Sequence, residues 1–208
     1  MNYLIKNISY LSLGQAVKII LRFFAFSYIT KSLTTDQYGH FLIVIGFCEF
    51  FQIFTLPGLS KPLVRSACRD LNNIDEILSS KSGIRNATAI IAIILANISV
   101  SFMQYDPSII TLIRLYSIVL LLDSLRTYIR IVFKSFEKFK WISVSEIVQS
   151  LTYFILIVAS INLNYGVQGI VCASMLSVII SFMVDYINSK KYSNFRLIGG
   201  FEIDKVFL

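Results

Sequence analysis

The sequence predicts an all-α integral membrane protein, a six-helix transmembrane bundle, and three observations carry that prediction. The chain of 208 residues is 56% hydrophobic and 15% charged, with a mean hydropathy of +0.72, whereas a soluble domain is roughly 45 to 50% apolar and about 25% charged. That much apolar surface exceeds what one water-facing core of this size hides, so a bilayer has to be the solvent. Six apolar stretches, each close to the ~20 residues that cross a bilayer, recur along the chain. The links between them alternate between basic and almost uncharged.

The first stretch, 10–32, follows a terminus with one lysine and no small-residue cleavage site, so it is expected to remain in the mature protein rather than leave as a signal peptide. The others are 39–60, 84–105, 108–128, 143–163 and 166–186. They pair as three hairpins. The links after spans one, three and five carry Gly, Pro, Asn or Asp at Asp36, Gly39, Asp106, Pro107, Asn164 and Gly166, residues that suit tight turns. The remaining links hold the positive charge: Lys61, Arg65, Arg69, Lys81 and Arg85; then Arg126, Arg130, Lys134, Lys138 and Lys140; then Lys190, Lys191, Arg196 and Lys205. The positive-inside rule therefore puts both termini in the cytoplasm. Tyr28, Tyr38, Tyr105 and Tyr165 fall at the outer boundary and Tyr10, Trp141 and Tyr186 at the inner one, where amphipathic rings collect. Residues 1–190 thus form a six-span unit. Residues 191–208 mix Phe, Leu and Ile with charges around Gly199 and Gly200, as a cytoplasmic amphipathic tail does.

The net charge of +7 and pI near 9.3 suggest nucleic acid in a soluble chain. Here the excess sits in loops and sets topology, so no nucleic-acid partner is expected. Cys48, Cys68 and Cys172 share no metal-ligand spacing and read as free, buried small hydrophobes. His40 is the single histidine, which leaves no His-ligated metal centre, and no cofactor or metal is expected.

Charges inside spans cost the most and therefore mark candidate sites. A mid-span Lys or Arg costs about 2.5 to 3.5 kcal/mol, and each Leu, Ile, Phe or Val returns about 0.3 to 0.6, so span one with Lys18 and Arg22 balances near zero. Gln15, Lys18 and Arg22 recur at steps of three and four and form one stripe. The stripe is predicted to face a hydrated cavity or partner carboxylates, and Arg114 of span four is grouped with it as a third substrate-binding cation. Glu49 lies at a depth similar to that of Lys18 and Arg22, which makes a pairing geometrically possible, and Asp123 lies on the face of span four opposite Arg114. Both acids are read as charge-balancing. Lys61, Arg65 and Arg69, and likewise Arg126, Arg130 and Lys134, step by four and predict two cytoplasmic basic stripes. These stripes serve topology and anionic lipid on one reading, and recruitment of an anionic lipid-linked substrate on the other. Pro57, Gly58 and Pro62 should bend or break the end of span two, as a plain kink or as a gating hinge.

The order of these features resembles the polysaccharide-unit (O-antigen, Wzx-type) flippases of the multidrug/oligosaccharidyl-lipid/polysaccharide exporter superfamily. The matching residues are the outer turn from Lys31-Ser32-Leu33-Thr34 to Tyr38-Gly39, the span-two exit Leu56-Pro57-Gly58-Leu59-Ser60-Lys61-Pro62, and Gly166-Val167-Gln168-Gly169 at the entry to span six. The resemblance implies two six-helix bundles facing each other across a cavity in the bacterial cytoplasmic membrane. It also implies that the cavity moves a polyprenyl-diphosphate-linked oligosaccharide for O-antigen, lipopolysaccharide or capsule synthesis. The likeness covers one bundle, the N-terminal lobe, so the tail reads as the start of a linker to an absent second lobe. Whether the chain is incomplete, or works with another copy or polypeptide, is left open.

Three function classes follow. The leading one is a transporter, not an enzyme, in which Lys18, Arg22 and Arg114 meet a diphosphate; the coupling ion, if any, is undetermined. A drug or cation antiporter of the same superfamily wants a net acidic cavity, and three cations against Glu49 and Asp123 argue against it. A non-transporting membrane subunit of a polysaccharide assembly complex is the third. A membrane-embedded transferase lacks support, because Asp70, Asp75 and Glu76 form no evident catalytic pair.

Overall fold

A computed structural model describes residues 2–55 and 60–195 of the chain, with side chains placed from residue 9 onward and from residue 61 onward after the gap. The described residues form eight α-helices and no strand. They are α1 (Asn2–Ser32), α2 (Thr35–Gln52) with a 3₁₀ turn at Ile53–Thr55, α3 (Ser60–Arg69), α4 (Ile74–Phe102), α5 (Pro107–Tyr116), α6 (Ile118–Ser135), α7 (Phe139–Asn162) and α8 (Gly166–Ser189).

Local chemistry sets the element ends. Thr34 caps α2 through a reciprocal box: its hydroxyl accepts from the Gln37 amide at 3.4 Å, and Gln37 Oε1 accepts from the Thr34 amide at 3.2 Å. Pro107 opens α5, where its missing N–H is no loss. Asn164 and Gly166 take positive φ values of 58° and 54°, which turns the chain from α7 into α8 within three residues. Between α5 and α6 lies the single residue Ser117, whose hydroxyl donates to the Arg114 carbonyl at 2.7 Å.

Six segments are long and apolar enough to cross a membrane: Ser9–Ser32, Thr35–Thr55, Ile74–Phe102, Pro107–Ser135, Phe139–Asn162 and Gly166–Ser189. The chain is an all-α, multi-pass membrane bundle. Several boundaries differ from the sequence expectation, and three of them move charged residues from links into helices. The third helical segment begins at Ile74 instead of residue 84, the fourth runs to Ser135 instead of 128, and the fifth begins at Phe139 instead of 143. A hydropathy window stops at a charge, but a helix continues through one where neighbouring helices offer a counter-charge, as for Arg126 and Arg130, or a polar and aromatic partner, as for Arg85, or where the charge reaches the surface, as for Lys134. Lys81, Arg85, Arg126, Arg130 and Lys134 therefore belong to helices, not to links.

The α-helix of span two ends at Gln52 and passes into the 3₁₀ turn at Ile53–Thr55, and α3 begins at Ser60 with Pro62 in its first turn, where a missing N–H is tolerated. Pro57 and Gly58 lie outside the described residues. In α3 Leu63 and Ala67 are buried, while Lys61, Arg65 and Arg69 stay exposed as one stripe.

The helices pack with α7 between α1 and α8, with α6 against α8, α3 and α4, and with α2 against α5, α4 and α8. Small residues set the closest approaches. A Cβ on Gly14 of α1 would lie 2.9 Å from Cβ of Ser143 on α7, and one on Gly169 of α8 would lie 2.9 Å from Cβ of Ser160 on α7. Ser143 donates to the Tyr10 carbonyl at 2.7 Å and Ser181 to the Ser145 carbonyl at 3.0 Å, so hydroxyls stitch the same seams.

One apolar core, with Ile29, Phe41, Val44, Ile113, Ile157 and Ile170, fills the short-link end, where Tyr28 donates to Asn162 at 3.0 Å. A second, with Leu78, Ile129, Val132, Phe133 and Phe195, fills the basic end. The first residues of the tail fold back onto that second core. Asp75 accepts from the Ser193 hydroxyl and from the Asn194 amide, and Trp141 donates to Tyr192 at 3.1 Å. Residues 196–208 lie outside the described residues. All three cysteines are free, but only Cys48 is buried; Cys68 and Cys172 fall on outward helix faces, so the expectation that all three are buried is corrected.

Candidate membrane-embedded polar cavity

α1 and α2 are joined by a two-residue turn yet make almost no contact along their lengths, because α1 is drawn onto α7 and α2 onto α5. The gap between them opens into two adjoining cavities.

The first is polar and about 280 Å³, and its walls include Lys18 and Arg22 of α1, Glu49 and Gln52 of α2, Asp123, Arg126 and Arg130 of α6, and Glu146 and Gln149 of α7. Its floor is a chain of ion pairs. Arg130 donates from Nη1 to Glu146 Oε1 at 3.1 Å and from Nε to Asp185 Oδ2 at 3.3 Å. Arg126 shares that Asp185 oxygen through Nε at 3.3 Å, and its Nη1 reaches Asp123 at 3.3 Å and Gln149 at 3.1 Å. Lys18 lies 3.6 Å from Glu146 Oε1, Gln15 donates to Glu146 Oε2 at 2.6 Å, and Gln52 donates to Asp123 at 3.3 Å. Asp123, Arg126 and Arg130 stand at steps of three and four on α6, so one helix face serves α2, α7 and α8 together. Such pairing is what lets charged side chains persist inside a bundle.

The second cavity is larger, about 520 Å³, and mostly carbon-walled. Ile19, Phe23 and Phe26 of α1 face Phe41, Leu42 and Ile45 of α2, with Tyr153 of α7 at the back. Arg22, Glu49, Tyr116, Gln149 and Val178 border both cavities.

The sequence-predicted residues sort differently from expectation. Lys18 and Arg22 do look into one cavity, but Lys18 is tied to Glu146, whereas Arg22 forms no ion pair within 4 Å among the described residues. Gln15 serves Glu146 instead of standing in the cavity wall. Arg114 borders neither cavity. It is exposed and donates to Ser101 of α4 at 3.0 Å, because the face of α5 that carries it turns toward α4. Glu49 borders the cavity without an ion pair among the described residues, so the pairing with Lys18 or Arg22 that its depth allowed is not formed there; Asp123 does balance charge, toward Arg126. Arg126 and Arg130 do not form a cytoplasmic stripe with Lys134. Arg126 is 5% exposed and both arginines point inward to acids, which leaves Lys134 alone on the exposed side.

Sequence reasoning missed Glu146, Gln149 and Asp185. Glu146 and Asp185 were visible as acids within the fifth and sixth apolar stretches, by the same signal that singled out Lys18. Their inclusion changes the charge count. Lys18, Arg22, Arg126 and Arg130 face Glu49, Asp123, Glu146 and Asp185, so the cluster is balanced, and the argument from excess cations falls. Away from the cavity, buried Arg85 has no carboxylate partner among the described residues. Its Nη2 donates to Ser124 at 2.9 Å, and its guanidinium covers the Tyr128 ring at 4.6 Å.

The chain matches the family described as "Polysaccharide biosynthesis protein" over residues 4–205. Neither a curated protein nor a solved structure matches it.

Proposed function

Because the chain belongs to the polysaccharide biosynthesis protein family, we propose that it moves polyprenyl-diphosphate-linked oligosaccharide units across the bacterial cytoplasmic membrane, with both termini on the cytoplasmic side. In this reading no bond is made or broken, no cofactor is used, and the products are polysaccharides such as O-antigen or capsule. The observation that carries the reading is Arg22, a cation without an ion pair among the described residues, standing where the polar cavity meets the apolar one. A guanidinium is the side chain best shaped to take a phosphate in low dielectric. Around it Glu49, Gln52 and Gln149 offer acceptors and amide donors and Tyr116 a ring, a set that suits sugar hydroxyls. The cavity is open between α1 and α2, so a second body, another lobe or another copy, is needed to close it for alternating access.

A second reading rests on Glu49, which also lacks an ion pair among the described residues and would serve as the ligand of a transported cation. Vesicle transport separates the two. Flipping of a fluorescent polyprenyl-diphosphate sugar is expected to be lost in Arg22→Gln and largely kept in Glu49→Gln. Loss in Glu49→Gln alone, together with uptake of an organic cation, would replace the flippase by the antiporter.

A further inference from the structure

At the basic end of the bundle the Trp141 indole N–H, in the first turn of α7, donates at 3.1 Å to the hydroxyl of Tyr192, which lies just beyond the end of α8. The Tyr192 ring packs on Phe136 at 5.8 Å and edge-on to Phe133 at 6.4 Å between centroids, so the two linked rings stand on a fixed base. Three ammonium groups gather over them. Lys191 lies 4.8 Å and Lys140 5.9 Å from the centre of the Trp141 ring, and Lys138 lies 5.9 Å from that of Tyr192. Lys190, over Tyr186 at 5.4 Å, adds a fourth cation next in sequence to Lys191. None of these residues lines either cavity.

Like charges meet here without matching acids. None of the four lysines forms an ion pair within 4 Å among the described residues. Glu137, exposed in the turn before α7, is the one acid between Phe133 and Glu146 in the sequence, and Asp75, against the tail, is occupied by the Ser193 hydroxyl and the Asn194 amide. A ring face fixes where an ammonium sits but uses none of its three N–H donors. Lys191 gives one of its donors to Asn188 Oδ1 at 3.0 Å. Lys140 and Lys191, both within 6 Å of one ring centre, feel each other's charge, since salt screens over about 8 to 10 Å. An anion seated over the two rings relieves that repulsion and gains charge-assisted hydrogen bonds. Trp and Tyr rings sit at the headgroup level of a bilayer, and lysine stems and rings give lipid carbon a surface to lie on while the ammonium groups reach phosphate. That combination favours a lipid over an acidic peptide.

We infer that Lys138, Lys140 and Lys191, set on the Trp141-Tyr192 pair, bind the headgroup of an anionic phospholipid, and that a headgroup with two phosphates fills the site best because three cations converge on it. The site joins the start of α7 to the segment after α8, so a bound lipid ties the end of the sixth span to the fifth. With the proposed orientation it lies in the cytoplasmic leaflet. It stands apart from the cavities and does not depend on what the protein transports.

The test uses the full chain in detergent, titrated separately with cardiolipin, phosphatidylglycerol and phosphatidylcholine, and read by native mass spectrometry and thermal unfolding. Cardiolipin is expected to bind tightest and to raise the unfolding midpoint, phosphatidylglycerol to follow, and phosphatidylcholine to do neither. Each lysine at a lipid phosphate contributes about a fivefold gain in affinity, so Lys140→Gln with Lys191→Gln should weaken cardiolipin binding about 25-fold and abolish the rise. Both side chains are exposed, so the lipid-free midpoint should stay put. Lys140→Arg with Lys191→Arg keeps the charge and should keep the binding. Lys61→Gln with Arg65→Gln removes the same charge from the exposed stripe of α3 and should leave cardiolipin binding unchanged. Equal weakening by the α3 variant, or no change on losing Lys140 and Lys191, would overturn the site. Phosphatidylglycerol binding as tightly as cardiolipin would overturn the two-phosphate assignment, and displacement of cardiolipin by an oligoglutamate peptide would overturn the choice of a lipid.

Discussion

Arg126 donates from Nε to Oδ2 of Asp185 at 3.3 Å, and the two residues are 5% and 0% exposed. The same oxygen takes Arg130, so a single carboxylate on α8 answers two guanidiniums on α6. In low dielectric each of these charges is costly alone and tolerable only together.

Removing that carboxylate is therefore expected to do more harm than its size suggests. Asp185→Ala leaves Arg126 with Asp123 and Arg130 with Glu146 as their remaining carboxylates, at a cost of about 3 to 5 kcal/mol, and should lower the unfolding midpoint in detergent sharply. Replacing the pair together, Arg126→Met with Asp185→Leu, should cost less than Asp185→Ala alone. A milder effect from the single change would mean that the pair does not hold α6 to α8.

Arg85 is the opposite case. It is buried against Tyr128 and Ser124 with no carboxylate among the described residues, so replacing it by an apolar side chain removes a desolvated charge without stranding another. Arg85→Met should leave the unfolding midpoint unchanged or raised. A fall comparable to that of Asp185→Ala would show that Arg85 has an anionic partner.

Helix approach depends on two glycines. Gly14→Ala places a Cβ against Ser143, and Gly169→Ala places one 2.5 Å from Cβ of Tyr165; overpacking of this kind costs about 1 to 3 kcal/mol. Gly46→Ala meets nothing within 4 Å and should gain up to about 1 kcal/mol from helix propensity. Thermal unfolding of the three variants checks the order.

Topology is tested by thiol accessibility in a chain freed of Cys48, Cys68 and Cys172. Asn164→Cys, in the α7–α8 turn, should react with an impermeant maleimide on intact cells, and Lys190→Cys, at the end of α8, only after permeabilisation. The reverse pattern would invert the orientation.

Transport should separate the two cations of α1. Lys18 is paired with Glu146 at 3.6 Å, so Lys18→Leu is expected to reduce flipping less than Arg22→Leu, which removes a cation that no carboxylate holds among the described residues. Equal loss in both variants would return Lys18 to the substrate site.

Composition and periodicity carry the architecture because they are local. Each of the six apolar stretches declares itself, and the Thr34-Gln37 cap, the Pro107 start and Pro62 in the first turn of α3 are written within a few residues. The stripe of Gln15, Lys18 and Arg22 was legible for the same reason, since helical spacing puts the three on one face whatever surrounds it.

Partnership is not local, and there the sequence stops. Glu146 is 128 residues from Lys18 and Asp185 is 59 from Arg126, and no spacing rule relates residues on separate helices. Only the packing of α6 between its neighbours turns Arg126 and Arg130 inward, makes Lys18 a paired charge and leaves Arg22 unpaired among the described residues. The sequence by itself determined a six-span, all-α membrane bundle with costly charges in its first span. The tertiary structure decided which of those charges are spent on one another, because in a low-dielectric interior the fate of a charge is set by whatever side chain stands within about 4 Å of it.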